Sequence, residues 1–91
     1  MQYVFKSSFD RALKKLPDTD KIKVSDALDS LFDFFDRKTN LPVGLGLKPI
    51  GKNYWEIRAD LRMRILFELD RNLVTFYFVG NHDQIRQFIR N

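Results

Sequence analysis

The sequence predicts an α+β fold: an N-terminal strand, a helical hairpin, a three-stranded antiparallel meander and a short C-terminal helix, arranged in two layers. Three observations lead there. Apolar residues recur at helical spacing over residues 9–35 and change to strict alternation beyond Tyr54. Between the two regimes, residues 40–51 hold three of the four glycines and two of the three prolines, which forbids a continuous helix or central strand. The chain has 91 residues, 44% of them apolar and 14% aromatic, enough for one core and therefore a single domain over 1–91.

Residues 2–5 are a short apolar run of β-formers and open the fold as a strand. Ser7 or Ser8 then caps a helix, because a hydroxyl can accept from an unpaired first-turn amide. Phe9, Ala12, Leu13 and Leu16 form its apolar stripe, with Arg11, Lys14 and Lys15 in solvent. Pro17 ends this helix and Asp18 or Thr19 caps the next. Val24, Ala27, Leu28, Leu31, Phe34 and Phe35 make its buried face, while Asp26, Asp29, Asp33 and Asp36 line another. The very short turn makes the two helices an antiparallel hairpin.

Residues 40–51 read as loop, and their Leu, Val (Val43) and Ile side chains pack that loop onto the domain. From Tyr54 three strands follow. Leu61, Met63, Ile65, Phe67 and Leu69 alternate with Arg62, Arg64, Leu66 and Glu68, and Val74, Phe76 and Phe78 alternate with Thr75, Tyr77 and Val79. The C-terminal helix turns Ile85, Phe88 and Ile89 inward.

Side-chain parity fixes a register, since a slip of one residue moves every side chain across a sheet. Keeping Trp55 and Ile57 beside Met63 and Ile65 gives a tip of Ala59, Asp60 and Leu61, with Arg58 opposite Arg62 and Glu56 opposite Arg64. Keeping Phe67 beside Phe76 and Ile65 beside Phe78 gives a two-residue turn at Arg71 and Asn72, with Leu66 facing Tyr77 and Glu68 facing Thr75. The open face then carries Tyr54, Glu56, Arg58, Arg62, Arg64 and Tyr77. Opposed arginines cost about 0.2–1 kcal/mol, which is reasonable where an anion binds; the plain alternative is a solvated face with one Glu56–Arg64 salt bridge.

Net charge is +4. The first 45 residues carry 8 basic and 7 acidic side chains and the remainder 8 and 5, so the excess lies in the second half. It favours nucleic acid or an acidic protein partner, although a solubilising surface accounts for a charge this small. With no cysteine there is neither a disulfide nor a thiolate metal site, and one histidine with scattered aspartates shows no metal-ligand spacing. Gly44-Leu45-Gly46 lacks the third glycine and helix-opening context of a nucleotide loop. No signal peptide or membrane span is evident, so a soluble, cytoplasmic protein is expected.

This order of elements resembles the RelE/ParE toxin superfamily over nearly the whole chain. The most characteristic stretch runs Gly46-Leu47-Lys48-Pro49-Ile50-Gly51-Lys52-Asn53-Tyr54-Trp55-Glu56-Ile57-Arg58, followed by Arg62-Met63-Arg64-Ile65-Leu66-Phe67. It is similar to the family's Leu-Lys-x-Leu-x-Gly segment, its aromatic-Glu-Ile/Leu-Arg strand and its Arg-x-Arg/Val-aromatic strand. Gly80-Asn81-His82-Asp83 resembles the Gly-x-His-x element of the YafQ-like and HigB-like branches.

The resemblance implies a RelE-like fold and the toxin of a type II toxin–antitoxin pair: an mRNA endoribonuclease, commonly ribosome-dependent, that uses no metal or cofactor. It implies attack of the ribose 2′-hydroxyl on the neighbouring phosphate. Arg62 or Arg64 would stabilise the transition-state charge and His82 would be the acid or base, working with Lys52, another lysine or Glu56. Lys48, Arg58, Tyr54, Tyr77, Arg86 and Phe88 are the candidate RNA contacts. Partners implied are a cognate antitoxin in a hetero-oligomer, mRNA and the ribosome. Two departures stand out: the segment Ile85-Arg86-Gln87-Phe88-Ile89 lacks the tyrosine many members place there, and His82 is the sole histidine. Alternatives are a ParE-like inhibitor of DNA gyrase and a catalytically inactive antitoxin-binding module.

Overall fold

The structure is a computed structural model describing residues 1–42 and 44–90; Val43, expected in the packed loop, lies outside the described residues. Along the chain run β1 (Gln2–Phe5), α1 (Ser7–Lys14), α2 (Asp18–Asp36), β2 (Lys48–Gly51), β3 (Tyr54–Arg58), β4 (Arg64–Asp70), β5 (Leu73–Gly80) and α3 (His82–Arg90). The strands form one sheet in the order β1-β5-β4-β3-β2. Only β1 pairs in parallel, with β5; the other neighbours are antiparallel.

The predicted α+β order holds, with one more strand. β2 forms inside the Gly/Pro-rich segment and pairs with β3 through Lys48–Glu56 and Pro49–Trp55. Pro49 is compatible because β2 is a sheet edge, where a missing amide breaks no ladder. Among the described residues of that segment, Leu45 is buried and Leu41 and Leu47 pack against the core, as expected of a loop held to the domain.

The helical hairpin covers one sheet face. Phe9, Val24, Ala27 and Leu31 meet Ile57, Ile65, Phe67, Val74, Phe76 and Val79. Phe76 is the hub of this core. Its ring centroid lies 4.7 Å from Phe5, 5.8 Å from Phe67, 5.9 Å from Phe9 and 6.2 Å from Phe32. Phe32 thus takes the place expected of Phe34, which instead rests against Phe35 with centroids 5.5 Å apart.

Neither hairpin helix has a side-chain cap. α1 starts at Ser7 behind Lys6, and the Ser8 hydroxyl donates to the Tyr77 carbonyl instead. α2 starts at Asp18 behind Pro17, whose carbonyl accepts from the amides of Asp20 and Lys21. Asp18 and Asp20 place negative charge in that first turn, favourable to the helix dipole.

Both hairpin registers differ from expectation, and neither changes the core face of the first. Arg58 pairs with Arg64 and Glu56 with Leu66, two residues further than predicted, so the tip spans 59–63. The Asp60 side chain accounts for the longer tip, because Oδ1 accepts from the amides of Arg62 at 2.9 Å and Met63 at 2.8 Å. In the second hairpin Phe67–Phe76 and Glu68–Thr75 pair as predicted, but a bulge follows. Tyr77 is the extra residue, so Phe78 faces Leu66 and Val79 faces Ile65.

α3 lies over part of the face expected to be open. Leu66 and Ile85 are fully buried there, and Phe88 stacks on Phe78 at 5.1 Å and 18°. Ile89, expected inward, is 38% exposed, because one amphipathic stripe on a short helix meets the sheet through Ile85 and Phe88. Asn81 starts the helix with a reciprocal capping box: its Oδ1 accepts from the Gln84 amide and Gln84 Oε1 accepts from the Asn81 amide, each at 2.8 Å.

Candidate functional site

The end of the sheet where Arg58, Arg64 and Gly80 lie in one row brings the chemistry together. Arg64 opens β4, Arg62 hangs from the tip before it, and His82 opens α3 beside them. Leu61, Arg62, Arg64, Asn81, His82 and Asp83 line a hollow of about 300 Å³. On its other side His82 joins Lys48, Glu56 and Arg86, with Pro49, Ile50, Ile85, Ile89 and Arg90, around a second hollow of about 470 Å³. Five cations, Lys48, Arg62, Arg64, Arg86 and Arg90, thus surround one histidine, against the carboxylates Glu56 and Asp83.

The predicted open face is partly closed. Glu56 is buried, and its Oε2 accepts from Arg64 Nη1 at 3.0 Å. The pair lies between parts of the sheet that α3 borders, not on a solvated surface. Arg64 Nε is buried without a partner among the described residues, an arrangement that costs free energy until an acceptor is supplied. The guanidinium has five donors, so Glu56 can orient it and leave others for an anion.

Of the residues singled out from sequence, Arg62, Arg64, His82, Lys48 and Arg86 are brought to these two hollows. Arg58 is displaced from them. Its side chain runs past Gly46, where a Cβ would sit 3.4 Å from Arg58 Cδ, and lines a separate surface with Pro42, Leu45 and Asp60. Gly46 has φ +62, so glycine suits both its backbone and this close approach.

Lys52 sits in the turn between β2 and β3 with φ 49, outside both hollows. Tyr54, at the start of β3, and Tyr77, midway along β5, make an edge-to-face pair with centroids 5.7 Å apart. The Tyr77 hydroxyl donates to Glu68 Oε1 at 3.2 Å, and burial first, then the Glu68 charge, raises its pKa above the usual value. Phe88 pins α3 to Phe78 and approaches Tyr77 at 6.2 Å. Sequence reasoning missed Arg90, four residues after Arg86 on the same helical face, and the Asn81/Gln84 box that sets His82 at the helix start. The Asn-x-x-Gln spacing was the available signal.

Neither a family model nor a curated protein sequence matches this chain. Solved structures do. The chain is similar to the RelB–RelE antitoxin–toxin complex from Methanococcus jannaschii, at 21% identity and TM-score 0.71 over 93% of this chain and 96% of that one. It is similar to the Escherichia coli DinJ–YafQ complex, at 16% identity and TM-score 0.73 over 92% and 96%. The chain has the RelE-like fold. The YoeB dimer from Staphylococcus aureus shares it at 16% identity and TM-score 0.65, over 90% and 97%. Coverage this complete on both sides means that the RelE-like fold here has neither a large insertion nor a missing layer relative to those chains.

No group of three or more His, Asp or Glu side chains that could hold a metal ion occurs among the described residues. No helix of the described chain is long and apolar enough to cross a membrane.

Proposed function

We propose that this chain is the toxin of a type II toxin–antitoxin pair, and that it inhibits translation in the cytoplasm as a metal-independent mRNA endoribonuclease. The observation that carries the reading is the convergence of Arg62, Arg64 and His82 on one hollow. In the reaction the ribose 2′-oxygen attacks the adjacent phosphorus and the bond to the 5′-oxygen breaks. The products are a 2′,3′-cyclic phosphate and a 5′-hydroxyl. Charge builds on the phosphorane oxygens, which Arg62 and Arg64 stabilise. His82 transfers a proton at the reacting oxygens, since an imidazole can both take up and give back a proton. Glu56 holds the Arg64 guanidinium in place through the 3.0 Å ion pair.

Lys48, Arg86 and Arg90 extend the positive surface beyond His82 and follow the phosphates of the message on the ribosome. Lys52 and Arg58, outside the hollows, serve the RNA or ribosome backbone at longer range, and Tyr54, Tyr77 and Phe88 are packing residues first. The same positive surface suits an acidic antitoxin. The antitoxin–toxin assemblies of the RelB–RelE and DinJ–YafQ structures support that partnership.

Induction of the wild type and His82→Ala in bacteria, with growth and mRNA 5′ ends followed together, tests the reading. Arrest with cleavage inside translated messages, both lost in the variant, is the expected result. Arrest without cleavage, unaffected by the substitution, would replace it with a gyrase-directed toxin. No arrest at all would leave a non-catalytic binding module.

A further inference from the structure

We propose that Asp60 is a positioning residue for Arg62, fixing the β3–β4 tip so that the Arg62 side chain is delivered to the hollow beside Arg64 and His82. What Arg62 does there rests on the ribonuclease reading; how the tip is held does not.

Arg62 belongs to no strand. It sits in a five-residue tip that is closed by the Met63 carbonyl, which accepts from the amides of Ala59 at 2.8 Å and Asp60 at 3.3 Å. These bonds fix the base of the tip and leave Arg62 itself unpaired to the sheet. Leu61, at the apex, is 88% exposed, so no apolar contact holds that end. Asp60 supplies the missing constraint. One carboxylate oxygen takes the amides of both Arg62 and Met63, and the other accepts from Lys23 Nζ of α2 at 3.3 Å.

The tip is therefore tied across the fold, from the helical layer through Asp60 to the backbone of an arginine in the site. The Arg62 amide foremost, with the Met63 amide and Lys23 against the opposing effect of burial, holds the Asp60 carboxyl below its usual range. An exposed Lys–Asp pair contributes little by itself, so the two amide bonds dominate the clamp. A long side chain on an unclamped loop samples many rotamers. A misplacement of about 1 Å in a catalytic group costs on the order of a hundredfold in rate.

The test uses the full chain with Asp60→Ala, Asp60→Asn, Lys23→Met, Arg62→Ala and the Asp60→Ala/Arg62→Ala pair. Two quantities are read: hydrogen exchange at the amides of Arg62 and Met63, and cleavage of mRNA on ribosomes. Asp60→Ala should speed exchange at both amides and lower kcat by about ten- to a hundredfold. Asp60→Asn, which retains the accepting oxygen, should restore most of both, and Lys23→Met should change cleavage by less than about threefold. In the Arg62→Ala background, Asp60→Ala should cost nothing further.

Unchanged exchange in Asp60→Ala overturns the proposal. So do losses that add in the double variant, because they make Asp60 a general stabiliser. A wild type that cleaves no RNA overturns the ribonuclease reading instead. Exchange at the two amides then still decides the clamp, with fast exchange in the alanine variant supporting it and equal rates refuting it.

Discussion

Arg64 Nη1 donates to Glu56 Oε2 across 3.0 Å, with the carboxylate side chain only 2% exposed. The two residues are diagonal rather than paired in register, since Glu56 stands opposite Leu66 and Arg64 opposite Arg58. A buried ion pair adds little over an apolar pair, but removing one partner strands the other charge. Glu56→Ala should therefore cost about 3–5 kcal/mol, measured by urea unfolding. Arg64→Met in that background should recover part of the loss, whereas two equal and additive losses would show that the pair is not coupled.

The start of α3 depends on the capping box. Asn81→Ala removes the acceptor for the Gln84 amide and should cost about 1 kcal/mol. Gly80→Ala should disturb the same turn, because its Cβ would fall 2.7 Å from Gln84 Oε1 and 2.8 Å from the Phe78 ring. Amide exchange at residues 82–85 should rise in both variants; protection equal to wild type would mean the helix start is set elsewhere.

Phe76 contacts five other aromatic rings at the centre of the core. Phe76→Ala should lower stability by about 3–5 kcal/mol, and Phe34→Ala, at a half-buried position, distinctly less. Chemical denaturation compares the two directly, and equal losses would contradict the central place given to Phe76.

Tyr3 donates to Asp36 Oδ2 at 2.8 Å. Burial first, then this bond and the Asp36 charge, pushes its pKa up to about 12. The folded state binds the phenolic proton more tightly than the unfolded chain, where the value is about 10. Its contribution is thus complete below about pH 10 and lost as pH rises toward 12. Stability measured between these limits should fall less steeply in Tyr3→Phe; identical slopes would show that the phenol does not report the fold.

The sequence carried the fold further than the site. Alternation at Ile57, Ile65, Phe67 and Phe76 settles which residues face the helices, because parity survives a slip of two. It does not settle tip length, which Asp60 decides through hydrogen bonds that a hydrophobic pattern cannot express. Nor does it show the Tyr77 bulge, which moves Phe78 and Val79 to opposite faces. β2 was hidden by its own glycine and proline, tolerated only because it lies at an edge. The burial of Glu56 follows from α3 crossing the sheet, a tertiary contact. Its one sequence trace was Leu66, an apolar residue on a face otherwise read as polar. Arg62, Arg64 and His82 were singled out by resemblance and charge, and the turn at Gly80 and Asn81 is what brings them together.

The most direct test is the chemistry of the cut. Purified wild type and His82→Ala are added to translating ribosomes, and the new RNA ends are identified. The wild type should leave 2′,3′-cyclic phosphate and 5′-hydroxyl ends, and His82→Ala should slow their appearance by about 10²–10⁴-fold while remaining folded. Cleavage undiminished in the variant, or fragments ending in a 3′-hydroxyl, would contradict a ribonuclease built on Arg62, Arg64 and His82.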